Sequence, residues 1–256
     1  MTHLPPVFLS TPIAHRGYHN LAAGRAENSR AAFLAAIEAG YGIEMDLQRT
    51  KDDQAMVFHD YDLTRLTGEK GPIQQRLATE MAEIQLIGSN ENVPNFAEVL
   101  DLVAGRAPLL VELKDQDGEM GPNIGPLERA VVNALVGYEG PVALMSFNPH
   151  SVAKLAELAP HISRGLVTES WTDKDTQMIP AARRQILRDI PDYDRVGACF
   201  ISHEAADLSR PRVAKLKARG AHILCWTIRS PEAEAEARKI ADNITFEGYA
   251  AALPTA

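Results

Sequence analysis

PVALMSFNPHSVAKLAELAPHISRGLVT, residues 141–168, sets the reading of the whole chain. Residues 141–147 form a short apolar run, which reads as a buried strand. Pro149 and His150 then open SVAKLAELA, whose apolar residues fall at helical spacing, and Pro160 follows it. ISRGLVT (162–168) is a second apolar run. Strand, helix and strand in this order imply a parallel pair with a right-handed crossover.

The same alternation extends outward in both directions. PIAHRG (12–17), GIEMDLQ (42–48) and PLLVELK (108–114) read as strands before this unit; RVGACFIS (195–202), AHILCWTI (221–228) and NITFE (243–247) read as strands after it. Amphipathic stretches separate them. Asn28-Ser29 offers N-caps for SRAAFLAAIEAG, with Gly40 as C-cap; Pro211 opens RVAKLKARG, closed by Gly220; Ser230-Pro231 opens EAEAEARKIA. Eight strands alternating with helices predict a (β/α)8 TIM barrel, which typically takes ~250 residues. A doubly wound sheet is the alternative, because strand count alone does not show closure.

Residues 49–107 break the rhythm between the second and third barrel strands. They contain a predicted hairpin turning at Asp52-Asp53 before AMVFHD, then TGEKGP and the helical patterns ATEMAEIQ and NFAEVLDLVAG. The expectation is an insertion over the barrel mouth within a single domain, 1–256.

The composition, 45% hydrophobic and 23% charged, suits a globular protein, and the net charge is −8. An acidic surface disfavours nucleic acid and anionic membranes, since phosphate binding needs clustered Lys and Arg. A phosphate-bearing ligand would need a locally positive site. No apolar run approaches the ~20 residues of a membrane helix, and the N-terminus lacks the features of a signal peptide. Stable membrane insertion is therefore not expected, and a cytoplasmic location is. Cys199 and Cys225 sit in apolar runs and read as packed thiols. Oligomeric state is not legible.

In a barrel, the C-terminal strand ends carry the chemistry. Here they bear His15-Arg16, Glu44 with Asp46, Glu112 with Lys114, Ser146 to Asn148, His203 and Trp226. Glu44 and Asp46 stand at i and i+2, so a strand points both to one face. Three carboxylates converging in one mouth repel unless a cation or protons intervene. A hard divalent ion with oxygen ligands, Mg2+ or Ca2+, resolves that; ordinary ion pairs with Lys114, Arg16 and Arg49 are the plainer reading. His15 and His59 each end an apolar run and suit proton transfer near neutral pH, with Asp60 placed to orient its neighbour. Arg16 presents paired donors suited to phosphate. Trp226 either stacks on a ligand or closes the core. His19, His150 and His203 are weaker candidates for substrate contact; His3, His161 and His222 read as incidental.

These residues, in this order, resemble the glycerophosphodiester phosphodiesterase family. The matching stretches are AHRG (14–17), EN (27–28), AF (32–33), EMD (44–46), TKD (50–52), VFHD (57–60), L-x-R-L-TG (63–68), ELK (112–114), SFNP (146–149) and WTI (226–228). The resemblance implies a TIM barrel with an insertion after the second strand. It implies Glu44, Asp46 and Glu112 as ligands of a divalent metal, His15 and His59 as general acid and base, and Arg16 and Lys114 at the phosphate. The substrate it implies is a small glycerophosphodiester, the deacylated product of phospholipid metabolism, yielding glycerol 3-phosphate and an alcohol. A related lysophospholipid-cleaving enzyme would want an apolar groove, for which Leu86, Ile87 and Phe96 are the sequence candidates. A non-catalytic phosphodiester-binding barrel is the second alternative. One departure stands out: the family's last strand usually ends in a Thr-Asp pair, where this chain has Phe246 and Glu247. The expectation is an altered headgroup preference.

Overall fold

Eight parallel strands close on themselves in the computed structural model, which describes residues 2–172 and 174–254. The strands are β1 (Ile13–Ala14), β2 (Gly42–Arg49), the antiparallel β3 (Ala55–Val57), β4 (Leu109–Leu113), β5 (Val142–Ser146), β6 (Ser163–Thr168), β7 (Phe200–Glu204), β8 (His222–Ile228) and β9 (Asn243–Phe246). Each barrel strand pairs in parallel with the next, and β1 pairs with both β2 and β9, so the sheet has no free barrel edge. The chain is a closed TIM barrel, and the doubly wound alternative falls with β1 bonded on both sides.

The two-residue period of a strand divides the apolar side chains between two cores. Ile43, Met45 and Leu47 of β2 and Leu109, Val111 and Leu113 of β4 face outward, into the large cluster beneath the helices. Leu110, Ala143, Met145, Val167, Phe200 and Leu224 face inward and fill the barrel's lower interior. The short helix Val7–Ser10 contributes Phe8 to that interior. Asn243 Nδ2 donates to the Phe8 and Thr11 carbonyls at 2.8 and 2.6 Å, tying this segment to the last strand.

The helix signals hold locally. Ser29 caps helix Arg30–Glu38 by accepting from Ala32 N–H, Asn148 caps Pro149–Leu158, and Ser230 caps Pro231–Ala237. Two strands differ from expectation. The first ends at Ala14 rather than at 17, because Arg16 (φ 54°) and Gly17 (φ 78°) turn the chain out of the sheet. A Cβ on Gly17 would stand 2.9 Å from both Ala32 Cβ and Phe33 Cδ1, so only glycine allows the helix to approach there. The seventh strand starts at Phe200 rather than 195. Residues 192–198 instead form a tight turn, with Val196 N–H donating to Asp192 O and Gly197 N–H to Asp194 O.

After β2 the chain forms the hairpin, Leu47 opposite Val57 and Arg49 opposite Ala55, and then builds a satellite core. Met56, Phe58, Leu63, Ile73, Met81, Leu86 and Val93 meet there, with Ala26 from the loop after β1. Helix Phe96–Val103 belongs to the outer cluster of the barrel itself and is the ordinary crossover to β4. The extra material therefore ends near Asn95, not at 107.

Gly165 of β6 faces Phe200, and a Cβ there would stand 2.4 Å from its Cε2. Gly165→Ala should therefore lower the unfolding free energy by about 1–3 kcal/mol, read from urea denaturation. An unchanged midpoint would show that the interior gives way more easily than its packing suggests.

Candidate active site

Glu44, Asp46 and Glu112 point inward from β2 and β4 because the outer positions of those strands are the apolar ones. The three carboxylates are at most 6% exposed. Each offers an oxygen within 4.8 Å of the others. Lys114 Nζ stands 2.7 Å from Asp46 Oδ1 and 2.7 Å from Glu112 Oε1. Asp46 Oδ2 accepts from Asn28 Nδ2 at 2.9 Å, so both its oxygens are engaged. Glu44 Oε2 accepts the Arg16 backbone N–H at 2.9 Å. Among the described residues one oxygen each of Glu44 and Glu112 has no partner, and these two residues line the cavity.

The electrostatics divide the cluster. Burial raises Glu44 well above the ordinary carboxylate range, and the neighbouring Asp46 and Glu112 charges add to it. Burial would raise Asp46 too, but Lys114, His59 and Arg16 together hold it far below that range. Lys114 is held protonated by the same two carboxylates, against its burial.

The two histidines stand on matching supports. His15 Nδ1 lies 2.5 Å from Glu247 Oε2, and His59 Nδ1 lies 2.6 Å from Asp60 Oδ1. Both carboxylates are pulled well below their usual range, Glu247 chiefly by the bond from His15 and the neighbouring His19 at 3.6 Å, and Asp60 by those from His59 and Arg65 against its desolvation. An ionised carboxylate only accepts, so each Nδ1 donates and each Nε2 is left for proton exchange. Burial lowers His15 below its ordinary value, with the Glu247 bond opposing.

One cavity of about 270 Å³ collects these groups. His15, Arg16, Glu44, His59, Glu112 and Lys114 line its polar side; Met145, Phe147, Val167 and Trp226 line its apolar side. Trp226 Nε1 donates to Ser202 O at 3.0 Å, fixing the indole, and its ring meets Phe147 edge to face.

The sequence candidates thus gather, with Asp46 set behind the wall. Others turn to structural work. His203 is fully buried and bonded to Thr168 Oγ1, and Ser146 and Asn148 bind the Leu113 carbonyl and Asp115. Leu86 and Phe96 lie in cores and Ile87 is half-exposed, and none of the three lines the cavity that holds the histidines. Sequence reasoning gave no role to Glu27, which accepts from Arg16 Nη1 at 2.6 Å and from Arg65 at 2.8 Å. Arg65 also grips Asp60, so an alternating chain of charges runs from Arg16 to His59. It also missed Ser202 and Thr245, whose buried hydroxyls line the cavity with no hydrogen-bond partner among the described residues.

Comparison with known proteins gives the family and the fold. The profile of the glycerophosphoryl diester phosphodiesterase family matches residues 15–244. A glycerophosphodiester phosphodiesterase of Caldanaerobacter subterraneus is 33% identical over 165 residues, which are 60% of this chain and 65% of that one. The chain thus spans just under two thirds of that relative's length. An Oleispira antarctica phosphodiesterase, solved with its product sn-glycerol-3-phosphate, superposes with a TM-score of 0.74 at 23% identity, covering 95% of this chain and 94% of the other. A glycerophosphodiester phosphodiesterase of Thermotoga maritima gives 0.67 at 21%, covering 92% and 94%. At such identities the two structures speak for the fold.

Lys114 is the cation nearest two buried carboxylates, and removing one partner of a buried ion pair typically costs about 3–5 kcal/mol. Lys114→Met should therefore lose about that much stability at pH 7 in chelator-containing buffer. The loss should shrink as pH falls, because Asp46, no longer held down by the ammonium, can then take up a proton that removes its unpaired buried charge. A loss that is independent of pH would show that the lysine stabilises by packing alone.

Proposed function

The chain belongs to the glycerophosphoryl diester phosphodiesterase family, and from that footing we propose that it hydrolyses glycerophosphodiesters to glycerol 3-phosphate and an alcohol, with His15 and His59 as acid and base. The observation that carries this reading is the matched pair of histidines. Each has its Nδ1 held by a carboxylate, and both stand in the wall of one cavity with Arg16 and Lys114.

The donor set suits a hard divalent cation such as Mg2+ or Ca2+: all oxygen, buried, and with three carboxylates against one adjacent ammonium. Glu44, Asp46 and Glu112 would each give it one carboxylate oxygen, that of Asp46 being shared with Lys114 or Asn28. Once bound, such an ion neutralises charge at phosphorus and lowers the pKa of a coordinated hydroxyl.

The chain's own groups account for the proton transfers. One histidine takes the proton of the neighbouring glycerol hydroxyl as that oxygen bonds to phosphorus. The bond from phosphorus to the alcohol oxygen breaks, and the other histidine gives that oxygen its proton. Water then opens the cyclic 1,2-phosphate with the two histidines in exchanged roles. Arg16 and Lys114 face the charge that grows on the phosphoryl oxygens. Glu247 and Asp60 hold the imidazoles in the tautomer that both steps require.

Release of glycerol 3-phosphate from glycerophosphocholine and glycerophosphoethanolamine tests the reading directly. Turnover should vanish with EDTA and return with Mg2+ or Ca2+; failure of these diesters and of every other glycerol 3-phosphate ester under every ion would refute the assigned substrate class. His15→Ala and His59→Ala should each lose about 10²–10⁴ in rate, and full activity in either would remove that residue from the mechanism.

Glu247→Gln should lower kcat while leaving KM nearly unchanged, because the amide supports the imidazole without stabilising its charged form. Glu247→Asp should recover part of the loss. If Gln and Asp behave alike, Glu247 is a packing residue.

A further inference from the structure

The cavity that holds the histidines does not end at them. A trough of about 460 Å³ continues over His59, Lys114 and Asp115, and opens into a section of about 380 Å³ walled by Met120, Trp171, Met178 and Ile179. Phe147 borders all three spaces, and Tyr61 borders the outer two. The floor is aromatic along its length: Phe147 meets Trp226 on one side and Trp171 on the other, each edge to face at 5.7 Å. Met178 is 86% exposed and Tyr61 49%, which leaves large apolar side chains in water beside a cavity they could line.

Four carboxylates, Asp60, Asp62, Glu112 and Asp115, line the near part of this trough. Asp115 accepts the backbone N–H groups of Asp117, Gly118 and Met120 and the Asn148 side chain. Asp60 is held by His59 and Arg65, and Glu169 is engaged as well. Beyond them the outer section is walled mainly by Met120, Phe147, Trp171, Met178 and Ile179, and an apolar tail finds its contacts there. The inner cavity is the opposite case. Its carboxylates, His15 and the unpartnered hydroxyls of Ser202 and Thr245 present donors and acceptors to a polyol.

We propose that the glycerol arm of the diester lies in the inner cavity and the alcohol arm in the trough, and that the alcohol is apolar, a long-chain or aromatic alcohol in place of choline or ethanolamine. This rests on the hydrolase reading above and names the class of leaving group. Lys114 and His59, which line both inner spaces, mark where phosphorus sits. A methylene moved from water into an apolar wall is worth up to about a fourfold gain in binding. A chain of several carbons along the trough is therefore a strong determinant of selectivity.

The test uses glycerol 3-phosphate esterified to methanol, hexanol, decanol or choline, below their aggregation limits, with 1-acyl lysophosphatidylcholine as the chain-on-glycerol control. kcat/KM should climb steadily from methyl to decyl, with the decyl ester above choline. Met178→Asp and Tyr61→Ser should each drive the decyl-to-methyl ratio of kcat/KM toward one. A flat alkyl series, or choline as the best ester, overturns the proposal; preference for the lysophospholipid overturns the assignment of the two arms. Absence of turnover with any ester defeats the parent reading, whereas turnover without chain dependence defeats only this one.

Discussion

Three carboxylates and an ammonium buried inside a closed barrel are the constraint on which the rest of the site depends. A strand with apolar residues at alternate positions must send the intervening ones inward, so Glu44, Asp46, Glu112 and the neighbouring Lys114 come together as a consequence of the outer core. The barrel interior is thus split: apolar below, from Phe8 to Phe200, and charged above. The lower half supplies the burial that holds the strands in register. The upper half consumes some of it, since desolvated like charges repel even with Lys114 between two of them.

That division explains how legible the chain was. Strand number, helix caps and carboxylate placement follow from local patterns, and local patterns survive folding when a closed sheet enforces them. The differences lie where a backbone turn overrides an apolar run, or where packing decides which core an element joins. RVGACFIS has the composition of a strand, but its first residues are consumed by a turn that Gly197 completes. NFAEVLDLVAG looked like part of an insertion because the extra hairpin and satellite core precede it; packing assigns it to the barrel's own ring of helices.

The two histidine supports show the same limit from the side of chemistry. Asp60 follows His59 directly, so a carboxylate beside that ring was visible in the sequence. Glu247 is separated from His15 by 232 positions, and only barrel closure, β1 against β9, brings them into contact. The hydroxyls of Ser202 and Thr245 carry no sequence signal at all. What distinguishes them is burial without a partner, which is a property of the folded state.

Closure also changes the meaning of the atypical last strand. Phe246 packs against Tyr41 at 4.8 Å and Tyr249 at 5.4 Å, in an aromatic cluster on the outer side of β9. A threonine could not fill that space, so the substitution belongs to the outer core and not to the ligand side. Glu247 then emerges at the mouth, where it meets His15, His19 and Arg229 together. One oxygen of this carboxylate meets the imidazole after β1 while the other accepts from Arg229 in the loop after β8. The departure from the family's pattern therefore bears first on the support of a proposed catalytic histidine. The residues placed to choose the headgroup lie across the mouth, around Phe147.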